Sequence, residues 1–180
     1  YMLVVGCKPE GRFTEQHDVF FGIGGSLKEA AAQLDTFWPG GGKLHIDSWR
    51  EVNNVDGHRI EIRDRNESQQ SSKKLFFLNL GGYKKNDMEE YHYKMLTVAA
   101  DKGEAVKTSM QSAFYLHTGF KGAESHIDDK YGVDVDDIFE IADILSPALK
   151  ERYYISISDG IDPELVEDPA RPGYVKLTSL

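Results

Sequence analysis

Imidazole and carboxylate side chains recur together along this chain. His45-Ile46-Asp47 returns as His126-Ile127-Asp128. Upstream of the first triplet stands Glu15-Gln16-His17, and upstream of the second stands Glu90-Tyr91-His92. Four of the six histidines therefore fall at matched places. In an extended strand residues i and i+2 share a face, so His45 projects with Asp47 and His126 with Asp128, while Ile46 and Ile127 turn toward apolar packing. Two imidazoles with one or two carboxylates suit a divalent transition ion, and a carboxylate outside the coordination shell can orient an imidazole. Without metal, the same groups supply a general base near neutral pH. A third reading makes each histidine a buried, hydrogen-bonded strut, since buried polar groups are as a rule satisfied.

The spacing predicts how these groups are carried. From Glu15 to Ala30 the two stretches align without a gap at an offset of 75 residues (15→90, 17→92, 26→101, 29→104, 30→105). That pattern is the mark of an internal repeat. Residues 2–72 form the expected first repeat, 73–150 the second, and 151–180 a C-terminal strand with an irregular tail, all within a single domain spanning 1–180. Each repeat reads as β-β-α-β-β. The expected fold is α+β, two tandem repeats related by pseudo-two-fold symmetry in one compact unit with mixed sheets and two main helices.

Local signals set the elements. Met2–Cys7 reads as a buried strand, and Asp18–Ile23 as one packed on both faces. Ser26 with Glu29 makes a capping box, behind which Leu27, Ala30, Ala31, Leu34, Phe37 and Trp38 fall at helical spacing. Strands follow near Leu44–Trp49 and His58–Arg63, separated by a turn at Val55-Asp56-Gly57. Polar residues 65–72 connect the halves. Leu75–Leu80 and His92–Ala99 restart the plan, and Asp101 opens a helix with an apolar stripe of Val106, Met110, Ala113, Phe114 and His117. A turn at Val135-Asp136-Asp137, a strand at Ile138–Ile144, and strands at Tyr154–Ser158 and Gly173–Leu177 complete the chain.

Composition and weaker motifs narrow the classes. The net charge of −9 over 180 residues excludes an electrostatic nucleic-acid partner, which needs clustered Lys and Arg. No apolar run approaches a membrane span, and one cysteine, Cys7, forms no internal disulfide, so no membrane role and a cytoplasmic location are expected. Gly22-Ile-Gly24-Gly25-Ser26 is either an anion cradle at a helix start or a tight turn. Pro39-Gly-Gly-Gly-Lys43 is no phosphate loop, because Leu44 stands where Ser or Thr must hold magnesium. Asp129–Glu140 lacks the central glycine and two ligands of a calcium loop.

Glu15-Gln-His17-Asp-Val, Leu44-His-Ile-Asp47, Val55-Asp-Gly-His58, Leu75-Phe-Phe-Leu-Asn-Leu-Gly-Gly-Tyr83 and Gly173-Tyr174 resemble a bacterial family, the domain of unknown function 1543 (a DUF). The resemblance supports the architecture and carries no activity with it. The residues themselves lead to a protein that binds a small polar molecule or a divalent transition metal. Its candidate ligands are Glu15, His17, His45, Asp47, Glu90, His92, His126 and Asp128, with His17, His45, Asp47, His92, His126 and Asp128 as the metal set. Two alternatives stand beside it: a metal-dependent or general-base hydrolase or isomerase using the same residues, and an interaction module with structural histidines. A monomer or homodimer fits each of them.

Overall fold

The computed structural model describes residues 1–66, 71–83, 86, 88–111 and 133–180. Among the described residues ten strands form three small sheets with a few short helices. The first sheet holds β1 (Met2–Cys7), β2 (Gln16–Phe21), β3 (His45–Arg50) and β10 (Arg171–Lys176), in the order β10-β3-β1-β2. The second holds β6 (Lys74–Tyr83), β7 (Glu90–Ala99) and β8 (Val133–Glu140), in the order β7-β6-β8. The third joins β4 (Asn54–Val55) and β5 (His58–Asp64) to β9 (Tyr153–Ile157). The fold is thus α+β. Every strand pair among the described residues is antiparallel, where mixed sheets were expected.

Alternation explains how the layers stack. Leu3 and Val5 of β1 pack with Ile46 against Ala30, Ala31 and Leu34 of the first helical segment. Phe76, Leu78 and Leu80 of β6 pack with Ala99 against Ala105 of the second. The opposite faces, with Met2, Phe21, Leu75, Phe77 and Leu96, meet in a shared layer closed by Ile60, Ile141 and Ile157. Phe21 and Phe77 cross edge-on there at 5.5 Å. Both central strands are therefore buried on two faces, and β1 is the buried strand expected over Met2–Cys7. The second strand differs: β2 is exposed from Gln16 to Asp18 and buried only at Phe21, because it is an edge strand.

The helices are short. α1 covers Leu27–Ala31 and continues as a 3-10 segment, Ala32–Thr36. Ser26 accepts from the Glu29 amide, and Glu29 reaches back to the Gly25 amide at 2.8 Å. That carboxylate occupies the Gly25 amide that an anion would need, and residues 22–26 run as an irregular connection with a bend at Gly25 and Ser26. α2 covers Lys102–Ser109, with Asp101 accepting from the Glu104 amide and Glu104 returning to the Ala100 amide. Its buried face is Ala105 and Ser109, whereas Met110 of the expected stripe is exposed. Ala113, Phe114 and His117 lie outside the described residues, as do 67–70 of the polar connection.

Two expectations near the C-terminal part are corrected. Val135-Asp136-Asp137 is no turn but the middle of β8, since its residues continue the ladder with β6. The strand expected over Ile138–Ile144 stops at Glu140, where α3 (Ile141–Ile144) and α4 (Pro147–Arg152) begin. Ser146 caps α4 and Pro147 supplies its preset first turn. The stretch from 151 is less irregular than expected, with β9 pairing along β5 and β10 along β3.

Candidate functional site

Two side-chain clusters sit over glycines in the central strands. In the first sheet, Gly6 of β1 stands opposite His17 of β2 on one side and His45 of β3 on the other. A β-carbon on Gly6 would lie 2.5 Å from both His45 Nε2 and Asp47 Oδ2, so only glycine leaves room for them. Asp47 reaches this point through a bulge. Val5 pairs with Ile46 and Val4 with Ser48, which leaves Asp47 the extra residue of β3.

The heteroatoms converge tightly. His45 Nε2 lies 3.0 Å from Glu15 Oε1 and 3.2 Å from Asp47 Oδ1. His17 Nε2 lies 3.3 Å from Asp47 Oδ2 and 3.6 Å from Glu15 Oε2. His45 is only 6% exposed, and its face is covered by Tyr174, whose ring centroid stands 4.5 Å away at an interplanar angle of 35°. Tyr174 is set there by a second irregularity, a register shift in β10 between Pro172 and Val175, with Gly173 at φ 151°. Despite the short separations, His45 Nε2 and Asp47 Oδ2 are buried and make no hydrogen bond among the described residues. Proximity alone does not satisfy a polar atom; the donor must point at the acceptor.

The second sheet repeats part of this arrangement with other donors. Gly81 of β6 stands opposite His92 of β7 and Asp134 of β8. A β-carbon on Gly81 would overlap the Asp136 carboxylate. Asp136 is also a bulged residue, since Leu80 pairs with Val135 and Asn79 with Asp137. His92 Nε2 lies 3.3 Å from Asp136 Oδ2 and 3.8 Å from Glu90 Oε2, and ligand atoms of all three residues fall within 4.8 Å of one another.

Of the residues singled out from the sequence, Glu15, His17, His45 and Asp47 meet in one cluster, and Glu90 and His92 meet in another. His126 and Asp128 lie outside the described residues. Sequence reasoning missed Asp136, Gly6, Gly81 and Tyr174. The signal for Asp136 was the alternation Val133-Asp134-Val135-Asp136, which has the same apolar–polar period as Leu44-His45-Ile46-Asp47.

Three cavities lie elsewhere. One of about 890 Å³ is lined by Tyr1, Gly22–Gly25, Glu51, Arg63 and Tyr153, and neither it nor two smaller ones touches either cluster. Cys7, next to Gly6, is buried; burial and then the Glu15 charge push its thiol up, away from the reactive thiolate. His58 is buried as a strut, its Nδ1 3.0 Å from the Ser158 carbonyl and its Nε2 3.0 Å from Lys73 Nζ. Among the described residues no helix is long and apolar enough to cross a membrane.

Residues 12–62 match the model of a family described as Domain of Unknown Function (DUF1543), the family that the sequence resembles. No match is found among curated proteins. In fold the chain is similar to protein Il1583 from Idiomarina loihiensis, whose crystal structure superimposes with a TM-score of 0.62 at 22% identity, over 98% of this chain and 94% of that one.

Proposed function

We propose that this protein binds a divalent transition metal between β1, β2 and β3, with Glu15, His17, His45 and Asp47 as ligands. The observation that carries the reading is the buried His45 Nε2 without a hydrogen bond, facing two carboxylates. Leaving such an atom unsatisfied costs about 1–3 kcal/mol, which a structural strut would have no reason to bear. A cation at the common focus satisfies His45 Nε2 and Asp47 Oδ2 together. Ligands at about 2.0–2.1 Å around a tetrahedral ion stand roughly 3.3 Å apart, and each histidine Nε2 lies 3.0–3.6 Å from both carboxylates, His45 on Oε1 and Oδ1 and His17 on Oε2 and Oδ2. Two carboxylates in one cluster also supply negative charge that attracts a cation.

The same reading extends to Glu90, His92 and Asp136 on the second sheet. Under it the two sites descend from one duplicated half, which the shared offset (Gly6 to Gly81, His17 to His92) and the matching bulges at Asp47 and Asp136 support. The exposed side of His17 keeps solvent within reach, so a bound ion could also activate water for hydrolysis.

Metal content of protein purified without chelator, then stripped and reloaded with Zn2+, tests the proposal. Wild type is expected to retain stoichiometric metal, and His45→Ala and Asp47→Ala to lose the equivalent bound at the first site. Wild type that takes up no metal, with variants merely less stable, would return these histidines to a structural role.

A further inference from the structure

Buried His58 fixes one lysine in place, and we propose that this lysine, Lys73, heads a site for a small divalent oxyanion, phosphate or a phosphate monoester. The His58 ring is 2% exposed, with Nδ1 3.0 Å from the Ser158 carbonyl and Nε2 3.0 Å from Lys73 Nζ. A carbonyl only accepts, so Nδ1 carries the proton; an ammonium only donates, so Nε2 offers its lone pair. The imidazole in this pairing is therefore neutral, and the half-buried Lys73 charge meets no carboxylate among the described residues. Supports stand behind both partners. Ser158 Oγ accepts from the Arg59 amide and donates to the Gly160 carbonyl, and Ser71 Oγ accepts from the Lys73 amide at 3.0 Å. A solvated lysine needs none of this. A partly desolvated ammonium without a counter-charge is costly, and an anion beside it removes the cost.

Lys73 lines a cavity of about 220 Å³ together with Arg65, Lys74 and Lys150, in a chain whose net charge is −9. Among the described residues the only carboxylate in that lining is Glu140, and Lys74 Nζ takes it at 2.6 Å. Arg65 Nε and Lys150 Nζ donate to the backbone carbonyls of Lys150 and Asp143, and neither side chain meets a carboxylate among the described residues. Three cations are thus left without counter-charge above a buried floor of Leu75, Leu145 and Ile157. That apolar floor lowers the local dielectric and strengthens attraction for an anion. Three positive charges favour a divalent oxyanion over a monovalent carboxylate. The volume lies below the roughly 300–1,000 Å³ of cavities that take drug-sized ligands, which suits a phosphate-sized group. No residue is shared with the histidine–carboxylate clusters, so the site stands apart from the metal reading.

Isothermal titration calorimetry of the full chain, dialysed free of metal, with inorganic phosphate tests the proposal. Wild type is expected to bind one equivalent, and to bind acetate at equal ionic strength far more weakly. Lys73→Met keeps the apolar stem and removes the charge, and should weaken phosphate binding by at least about tenfold, the loss of one charge-assisted hydrogen bond. Lys150→Met, at a helix surface, should weaken it in the same direction and serves if Lys73→Met folds poorly. Lys28→Met makes the same change in net charge on the exposed face of α1 and should leave the affinity unaltered. A parallel titration separates the two sources of the group: methyl phosphate bound like phosphate marks an ester, and methyl phosphate excluded marks the free ion. Wild type that takes up no phosphate overturns the proposal. So does phosphate binding that survives both Lys73→Met and Lys150→Met, or that Lys28→Met weakens equally.

Discussion

At the scale of single residues, each cluster depends on a glycine that holds open the space above it. Replacing Gly6 by alanine would drive a β-carbon into His45 Nε2 and Asp47 Oδ2, both at 2.5 Å. Overpacking a tight buried position costs about 1–3 kcal/mol. Gly6→Ala is therefore expected to lower the unfolding free energy measured in urea by that amount and to weaken Zn2+ binding at least tenfold. Unchanged affinity in a destabilised variant would contradict the placement of the ion above Gly6. Tyr174 makes a separate test: Tyr174→Ala uncovers His45 and should speed metal loss to chelator, whereas Tyr174→Phe keeps the ring and should not.

At the scale of elements, irregularities in the strands do the positioning. Bulges at Asp47 and Asp136 and the shift at Gly173-Tyr174 re-aim side chains that a regular ladder would send elsewhere. The β4–β5 hairpin supplies a further fixed point. Asp56 and Gly57 both have positive φ (51° and 73°), the two-residue turn that matches strand twist. The Asp56 carboxylate then accepts from Thr97 Oγ1 at 2.6 Å and from the Val98 amide at 2.8 Å, tying the hairpin to β7. Asp56→Ala strands both donors, with Thr97 fully buried, and should cost about 1–3 kcal/mol in equilibrium unfolding.

These elements show why sequence reading reached some features and not others. Capping at Ser26 and Asp101, the Asp56-Gly57 turn and the strand around Gly6 follow from local chemistry, and each was legible; Gly81 lies past the strand expected over Leu75–Leu80, because paired glycines read as a break, whereas β6 runs on to Tyr83. Register is non-local. The repeated His-Ile-Asp letters drew attention to His126 and Asp128, whereas the ladder with β6 places Asp134 and Asp136 opposite Gly81 and beside it. An Asp-rich stretch reads as a turn until the strand that pairs with it is known. Tyr174 comes to His45 from more than a hundred residues away through an edge strand, so no local pattern announces it.

At the scale of the whole molecule, the C-terminal stretch ties the site to the rest of the fold. Burial opposes ionisation of Asp168, but hydrogen bonds from the Asn53 amide and side chain and the Asn54 amide, with Arg50 nearby, hold its carboxyl below the usual range. A carboxyl lowered on folding stabilises above its ordinary value of 3.8 and loses that contribution as pH falls through the folded value. Asp168→Asn should therefore be less stable than wild type at neutral pH, and the gap should close in acid. Thermal melts across pH 2–7 check this, and a gap that widens in acid would contradict it. A ligand that binds only the folded chain adds about 2.7 kcal/mol at a hundredfold excess over its Kd, so Zn2+ should raise Tm and chelator should reverse the rise.

X-ray absorption at the zinc edge, on protein loaded with one equivalent, addresses the metal reading most directly. The geometry of Glu15, His17, His45 and Asp47 predicts a shell of nitrogen and oxygen near 2.0 Å, with the outer-shell scattering of two imidazoles that diminishes in His17→Ala. A shell of oxygens alone, without imidazole scattering and unchanged in that variant, would mean that the ion does not sit between β1, β2 and β3.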